Sequence, residues 1–125
     1  MSFAHRSRGT ALAAALSLMV GMGLAVLPAT PASATSVIQG ISTHWSPTTT
    51  TILQGGSVRW MAVSNTHHVK AYGGNWTFQS RFLHPGQSTL TKTFNTRGTF
   101  RFYCTIHGAI VNGVCQGMCG RIVVR

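Results

Sequence analysis

The chain contains no aspartate and no glutamate in 125 residues, against 10 lysines and arginines. That absence excludes a great deal. No pair of carboxylates exists for acid–base work, no Ser-His-Asp triad can form, and no calcium site can be built from carboxylate oxygens. The hydrolytic classes largely go with the acids, and no enzyme is expected. Cysteine is scarce as well: there are three, all between Cys104 and Cys119. No segment carries helical periodicity over three turns, no internal repeat is visible, and low complexity is confined to Thr48–Thr51.

What is present falls into two parts. Residues 1–34 read as a secretory leader. Arg6 and Arg8 precede the apolar run "ALAAALSLMVGMGLAVL", and "PATPASA" ends in Ala32-Ser33-Ala34, a small-residue cleavage pattern. The run is short for a membrane span. Cleavage after Ala34 gives a secreted or extracytoplasmic protein of residues 35–125, one domain, in an oxidising compartment where cysteines can pair. Its fixed charges are Arg59, Lys70, Arg81, Lys92, Arg97, Arg101, Arg121 and Arg125. Such a field attracts anionic partners. Nucleic acid is not expected, given export and the lack of any basic–aromatic module.

The domain reads as short strands with Gly and Pro punctuation: Ser36–Ser42, Thr48–Leu53, Ser57–Val63, His67–Tyr72, Ser88–Phe94, Thr99–Cys104 and Gly120–Val124. Val58, Trp60 and Ala62 alternate with Arg59, Met61 and Val63, and Phe100 and Phe102 with Arg101 and Tyr103. The pattern is that of an all-β, antiparallel sandwich or barrel of about seven to eight strands. An immunoglobulin-like version would need two cysteines far apart in sequence, which this chain lacks.

The cluster "CTIHGAIVNGVCQGMC" admits several chemistries. Cys115 and Cys119 form C-x-x-x-C, not the redox motif C-x-x-C. Cys104, His107, Cys115 and Cys119 could supply a four-ligand zinc site, which leaves Met118 and the upstream histidines unexplained. Two imidazoles, a thiolate and a weak thioether suit copper cycling between Cu+ and Cu2+. Cys104 ends a strand, His107 follows closely, Met118 comes just before the last strand, and "NTHHV" (Asn65–Val69) opens a middle strand.

Here the chain resembles the cupredoxins, most closely the plastocyanin-like small blue copper proteins. "FRFYCTIH" is similar to the family's Tyr-x-Phe-x-Cys-x-x-His run, "GMCGRIVV" to its Gly-Met-x-Gly-x-Val-x-Val ending, and "THHV" to its Pro-His-Asn-Val. The resemblance implies a Greek-key β-sandwich holding one copper ion on His67, Cys104, His107 and Met118. It implies single-electron transfer with a redox partner protein, which the charge makes an acidic one. Copper carriage without electron transfer is the first alternative. A cationic sandwich bound to an anionic envelope polymer is the second. A monomer is expected.

Three features depart from the family pattern. The stretch between His107 and Met118, Gly108–Gly117, is longer and reads as a loop. His68 stands where the family has asparagine, and could serve as the ligand in place of His67. Cys115 and Cys119 are additional. With Cys104 on the ligand position, the resemblance implies a free thiolate there and a Cys115–Cys119 disulfide across Met118. The edge for electron transfer is then the His107 imidazole, with Gly108–Val111 as the docking patch. His44 and His84 read as surface or turn residues.

Overall fold

The computed structural model describes residues 21, 23–29 and 33–125. Most of the leader read over residues 1–34 lies outside them. Eight strands follow: β1 Thr35–Ile41, β2 His44–Ser46, β3 Thr49–Ile52, β4 Ser57–Ala62, β5 Val69–Tyr72, β6 Lys92–Thr93, β7 Gly98–Val111 and β8 Val114–Val124. They make two four-stranded sheets, ordered β2-β1-β4-β6 and β3-β8-β7-β5. The all-β sandwich expected from the alternating pattern is the fold observed.

Two pairings, β1 with β4 and β3 with β8, are parallel, and the rest are antiparallel. Side chains alternate with the same period in either direction. The pattern therefore reveals which face is buried and not which way a strand runs.

The core lies between the sheets. Val58, Trp60 and Ala62 of β4 face Phe100, Phe102 and Cys104 of β7 and Met118, Ile122 and Val124 of β8, all buried. Phe102 stands edge-on to both Trp45 and Trp60, at 5.6 and 5.2 Å between ring centroids. Its ring lies against Gly120, where a Cβ would overlap it. Glycine at 120 is thus a packing requirement of the sequence "CGRIVV", set by its cross-strand neighbour on β7.

The structure departs from the sequence pattern in two places that matter. The strand read over Ser88–Phe94 is reduced to β6 and a bridge at Met61↔Ser88 whose register is shifted by one residue, and between them Thr89 Oγ1 accepts the Trp60 amide proton at 3.1 Å. The stretch Gly108–Gly117, read as a loop, is a β-hairpin. β7 runs on to Val111, β8 begins at Val114, and Asn112-Gly113 makes the turn with φ of 50° and 76°. Both central residues are left-handed, as the primed two-residue hairpin turn requires, and asparagine followed by glycine is its strongest sequence signal.

Candidate metal centre

The site forms where this hairpin enters the sandwich. Up to Tyr103↔Cys119 the β7–β8 ladder is regular, and it resumes at Gly108↔Gly117. Between those pairs Cys104–His107 stands opposite Met118 alone. The excess residues must leave the ladder as a bulge, which re-aims side chains. The bulge returns the chain so that His107 comes back to Cys104: His107 Nδ1 lies 3.6 Å from Cys104 Sγ.

The opposing strand bends to match. Cys115 and Cys119 are separated by four positions, yet their Cα atoms are only 6.0 Å apart and their sulfurs are bonded. Fully extended, such a segment spans about 13 Å. Gly117, at φ 84°, supplies the bend, and a Cβ there would collide with the His107 carbonyl oxygen. The bend turns Met118 inward, where it is buried between the exposed Gly117 and the half-buried Cys119.

The third donor comes from the other side of the sandwich end. His67 is fully buried, and its Nδ1 lies 3.8 Å from Cys104 Sγ. Its Nε2 is 2.7 Å from the Ser64 carbonyl oxygen. A carbonyl can only accept, so Nε2 carries the proton and Nδ1 presents its lone pair to the site. The backbone around it is tied down: His67 N–H donates to Leu83 O at 2.9 Å, and Leu83 N–H returns the bond at 2.8 Å. The ring rests on Gly40 of β1, and Trp45 lies 5.4 Å away. Burial holds the imidazole below its ordinary pKa, and the neighbouring His107 adds to this, while the backbone bonds of Ser64 and Gly40 work against it. The neutral form, the one that ligates a metal, is therefore favoured.

His68 is placed differently from His67. Its Nδ1 pairs with Thr105 Oγ1 at 2.7 Å, and its ring stacks on Phe82 at 4.7 Å. Its contribution to the site is the backbone amide, which points at Cys104 Sγ from 3.5 Å. Such a donor stabilises a thiolate. His84 Nδ1 pairs with Thr66 Oγ1, and His44 is an exposed residue of β2.

The ligand atoms of His67, Cys104 and His107 all lie within 4.8 Å of one another, with the first two buried and His107 half exposed. Cys104 is a free, buried thiol, and the other two cysteines are consumed by their disulfide. A four-ligand zinc site using Cys115 and Cys119 is thereby excluded. The remaining donors, one thiol and two imidazoles, can hold a soft or borderline metal ion.

No protein-family model matches the chain, and no curated protein sequence does. Solved structures do. An oxidized mutant of amicyanin matches with a TM-score of 0.60 at 19% identity, over 75% of this chain and 85% of that one. A purple cupredoxin from Nitrosopumilus maritimus matches with a TM-score of 0.56 at 20% identity, over 72% of this chain and 99% of that one. A copper-containing nitrite reductase from Thermus scotoductus matches with a TM-score of 0.61 at 19% identity, over 74% of this chain and 22% of that one. The fold is that of the cupredoxins.

Sequence reasoning missed the Asn112-Gly113 turn, although "VNGV" carries the hairpin signal. It also missed that Ser64, three residues before His67, fixes the imidazole tautomer. A backbone carbonyl leaves no mark in the residue types.

Proposed function

We propose that the chain is an exported type 1 copper protein that holds one copper ion and passes single electrons. The observation that carries this reading is the pair of imidazole nitrogens that lie 3.8 and 3.6 Å from a buried free thiol. A thiolate with two imidazoles and a weak thioether is the donor set that suits copper in its one-electron couple. His67, Cys104 and His107 would hold the ion, with the buried Met118 as the weak thioether donor. Bound there, copper supplies a reversible one-electron centre.

The chain's own residues supply the rest. His67 and Cys104 are pre-oriented by Ser64 O and the His68 amide, so little has to rearrange on loading. Of the four donors only His107 reaches the surface, and electrons would enter and leave there. Ile106 next to it is exposed at 46%, and Val111 and Val114 at the tip of the same hairpin at 44 and 62%, apolar surface on which a partner can dock without desolvating charge. This surface follows the hairpin and not a loop. The excess of positive charge over the rest of the domain favours an acidic redox partner. The Cys115–Cys119 bond fits an oxidising compartment and thus an exported protein.

Voltammetry tests the reading. On titration with Cu(II), a reversible one-electron wave that stops growing at one copper per chain supports it. Tight copper binding with no reversible wave replaces electron transfer by copper carriage.

A further inference from the structure

On the outer face of the β3-β8-β7-β5 sheet, Arg101 of β7 and Arg121 of β8 are direct cross-strand partners. Two like charges placed opposite each other in an antiparallel pair repel. An ordinary protein surrounds such a pair with carboxylates, and this chain has none. The register extends the row on both sides: Thr49 of β3 partners Arg121, and Tyr72 of β5 partners Arg101. Both arginines are exposed, and both line one depression of about 250 Å3 together with Thr48, Thr49 and Tyr72.

The depression is built from braced groups. Arg121 Nε donates to Thr49 Oγ1 at 3.0 Å, which fixes the guanidinium while leaving its terminal amino groups for another acceptor. Tyr72 stands edge-on to Tyr103 at 5.8 Å. Lys70 occupies the next row of the same sheet face, opposite Tyr103. Two guanidiniums, the Thr49 hydroxyl and the Tyr72 side chain therefore line one depression, and no acidic side chain of the chain can answer them.

We infer that this depression binds a phosphate group. One guanidinium fork saturates both oxygens of a carboxylate. Two forks on adjacent strands need more acceptors than that, and a tetrahedral dianion offers an oxygen to each fork with another left for the Thr49 hydroxyl. Its charge also cancels the repulsion across the strands. The phosphate can be free or carried as a terminal monoester on a lipid headgroup, and the chemistry at the two arginines is the same. The inference is independent of metal loading.

The test uses the metal-free protein and three single variants, Arg101→Gln, Arg121→Gln and, as a control for net charge, Arg59→Gln on the other sheet. Thermal unfolding is followed while inorganic phosphate replaces chloride at constant ionic strength, since a ligand of the folded state raises the midpoint. Phosphate should raise the midpoint of the native chain and of Arg59→Gln alike. In Arg101→Gln and Arg121→Gln the apparent phosphate affinity should fall at least about tenfold, the loss of one charge-assisted contact. Without phosphate, Arg101→Gln should melt higher than Arg59→Gln, because only the former relieves the cross-strand repulsion. Equal phosphate gains in all four proteins would overturn the site, as would polyglutamate stabilising as well as phosphate at matched ionic strength. Vesicles containing phosphatidic acid, whose headgroup is a phosphomonoester, distinguish the sources. Capture that free phosphate displaces assigns the group to a membrane-anchored phosphate. Stabilisation by free phosphate without vesicle capture assigns it to a soluble one.

Discussion

His67 Nδ1 faces Cys104 Sγ at 3.8 Å because the other ring nitrogen is committed, through its proton, to the carbonyl of Ser64. The donor geometry is thus written into the metal-free fold, from a residue with no metal chemistry of its own.

Gly40 is the floor beneath that ring. A Cβ at this position would stand 2.5 Å from His67 Cδ2 and 2.9 Å from Nε2. The glycine cannot yield easily, since β1 is paired on both sides, with β2 and with β4. Gly40→Ala is expected to destabilise by about 1–3 kcal/mol, the usual cost of overfilling a packed site. It should also weaken copper binding. Urea unfolding measures the first effect, and an unchanged midpoint would show that the ring does not rest on residue 40.

The two adjacent histidines should separate cleanly. His67→Ala removes a donor and should abolish tight copper binding. His68→Ala leaves all the donors in place and removes the brace to Thr105 and the stack on Phe82, so affinity should fall by about 10–100-fold, the range for such supporting contacts. Competition with a chelator of known affinity reads both. If His68→Ala abolishes binding and His67→Ala spares it, the ligand assignment is reversed.

The Cys115–Cys119 bond closes a short ring around the bend that buries Met118. Replacing both cysteines by serine should cost about 2 kcal/mol on the chain-entropy account. It should also leave Met118 less firmly placed, with a shift in the copper spectrum. Peptide mapping without reductant should find this bond and a free Cys104; any bridge that includes Cys104 contradicts the copper assignment.

Acid should weaken the metal-free protein in a defined window. Burial keeps the folded-state pKa of His67 below its unfolded value of 6.5. Below 6.5 the unfolded chain takes up a proton that the folded chain refuses, so stability is complete above that pH and falls as pH drops toward the folded pKa. Denaturant titrations across this range should show the loss, and His67→Gln should flatten it.

Much of this was legible in the chain. Alternation at Val58–Ala62 and Phe100–Cys104 gave the faces of β4 and β7, and the sandwich follows from burying them. The spacing Cys104–His107 and the position of Met118 marked one pole of the fold. Strand direction in β1 and β3 was not legible, because the alternation is blind to it. The bulge at Cys104–His107 was not legible either, since it exists only as a mismatch between two strands whose register the hairpin turn sets. Asn112-Gly113 held that information, but the resemblance to the family's His-to-Met stretch drew it toward a loop reading. His68 was ambiguous by residue type and is distinguished from His67 by the Thr105 hydroxyl and the Phe82 ring that it meets in place of the Ser64 carbonyl and the Cys104 sulfur.

The most direct measurement is an optical titration of the protein and of Cys104→Ala with Cu(II). An intense visible thiolate-to-copper band should grow in the native chain, saturate at one equivalent, and be missing from Cys104→Ala. A colourless complex in the native protein, or the same spectrum in both, would contradict the account.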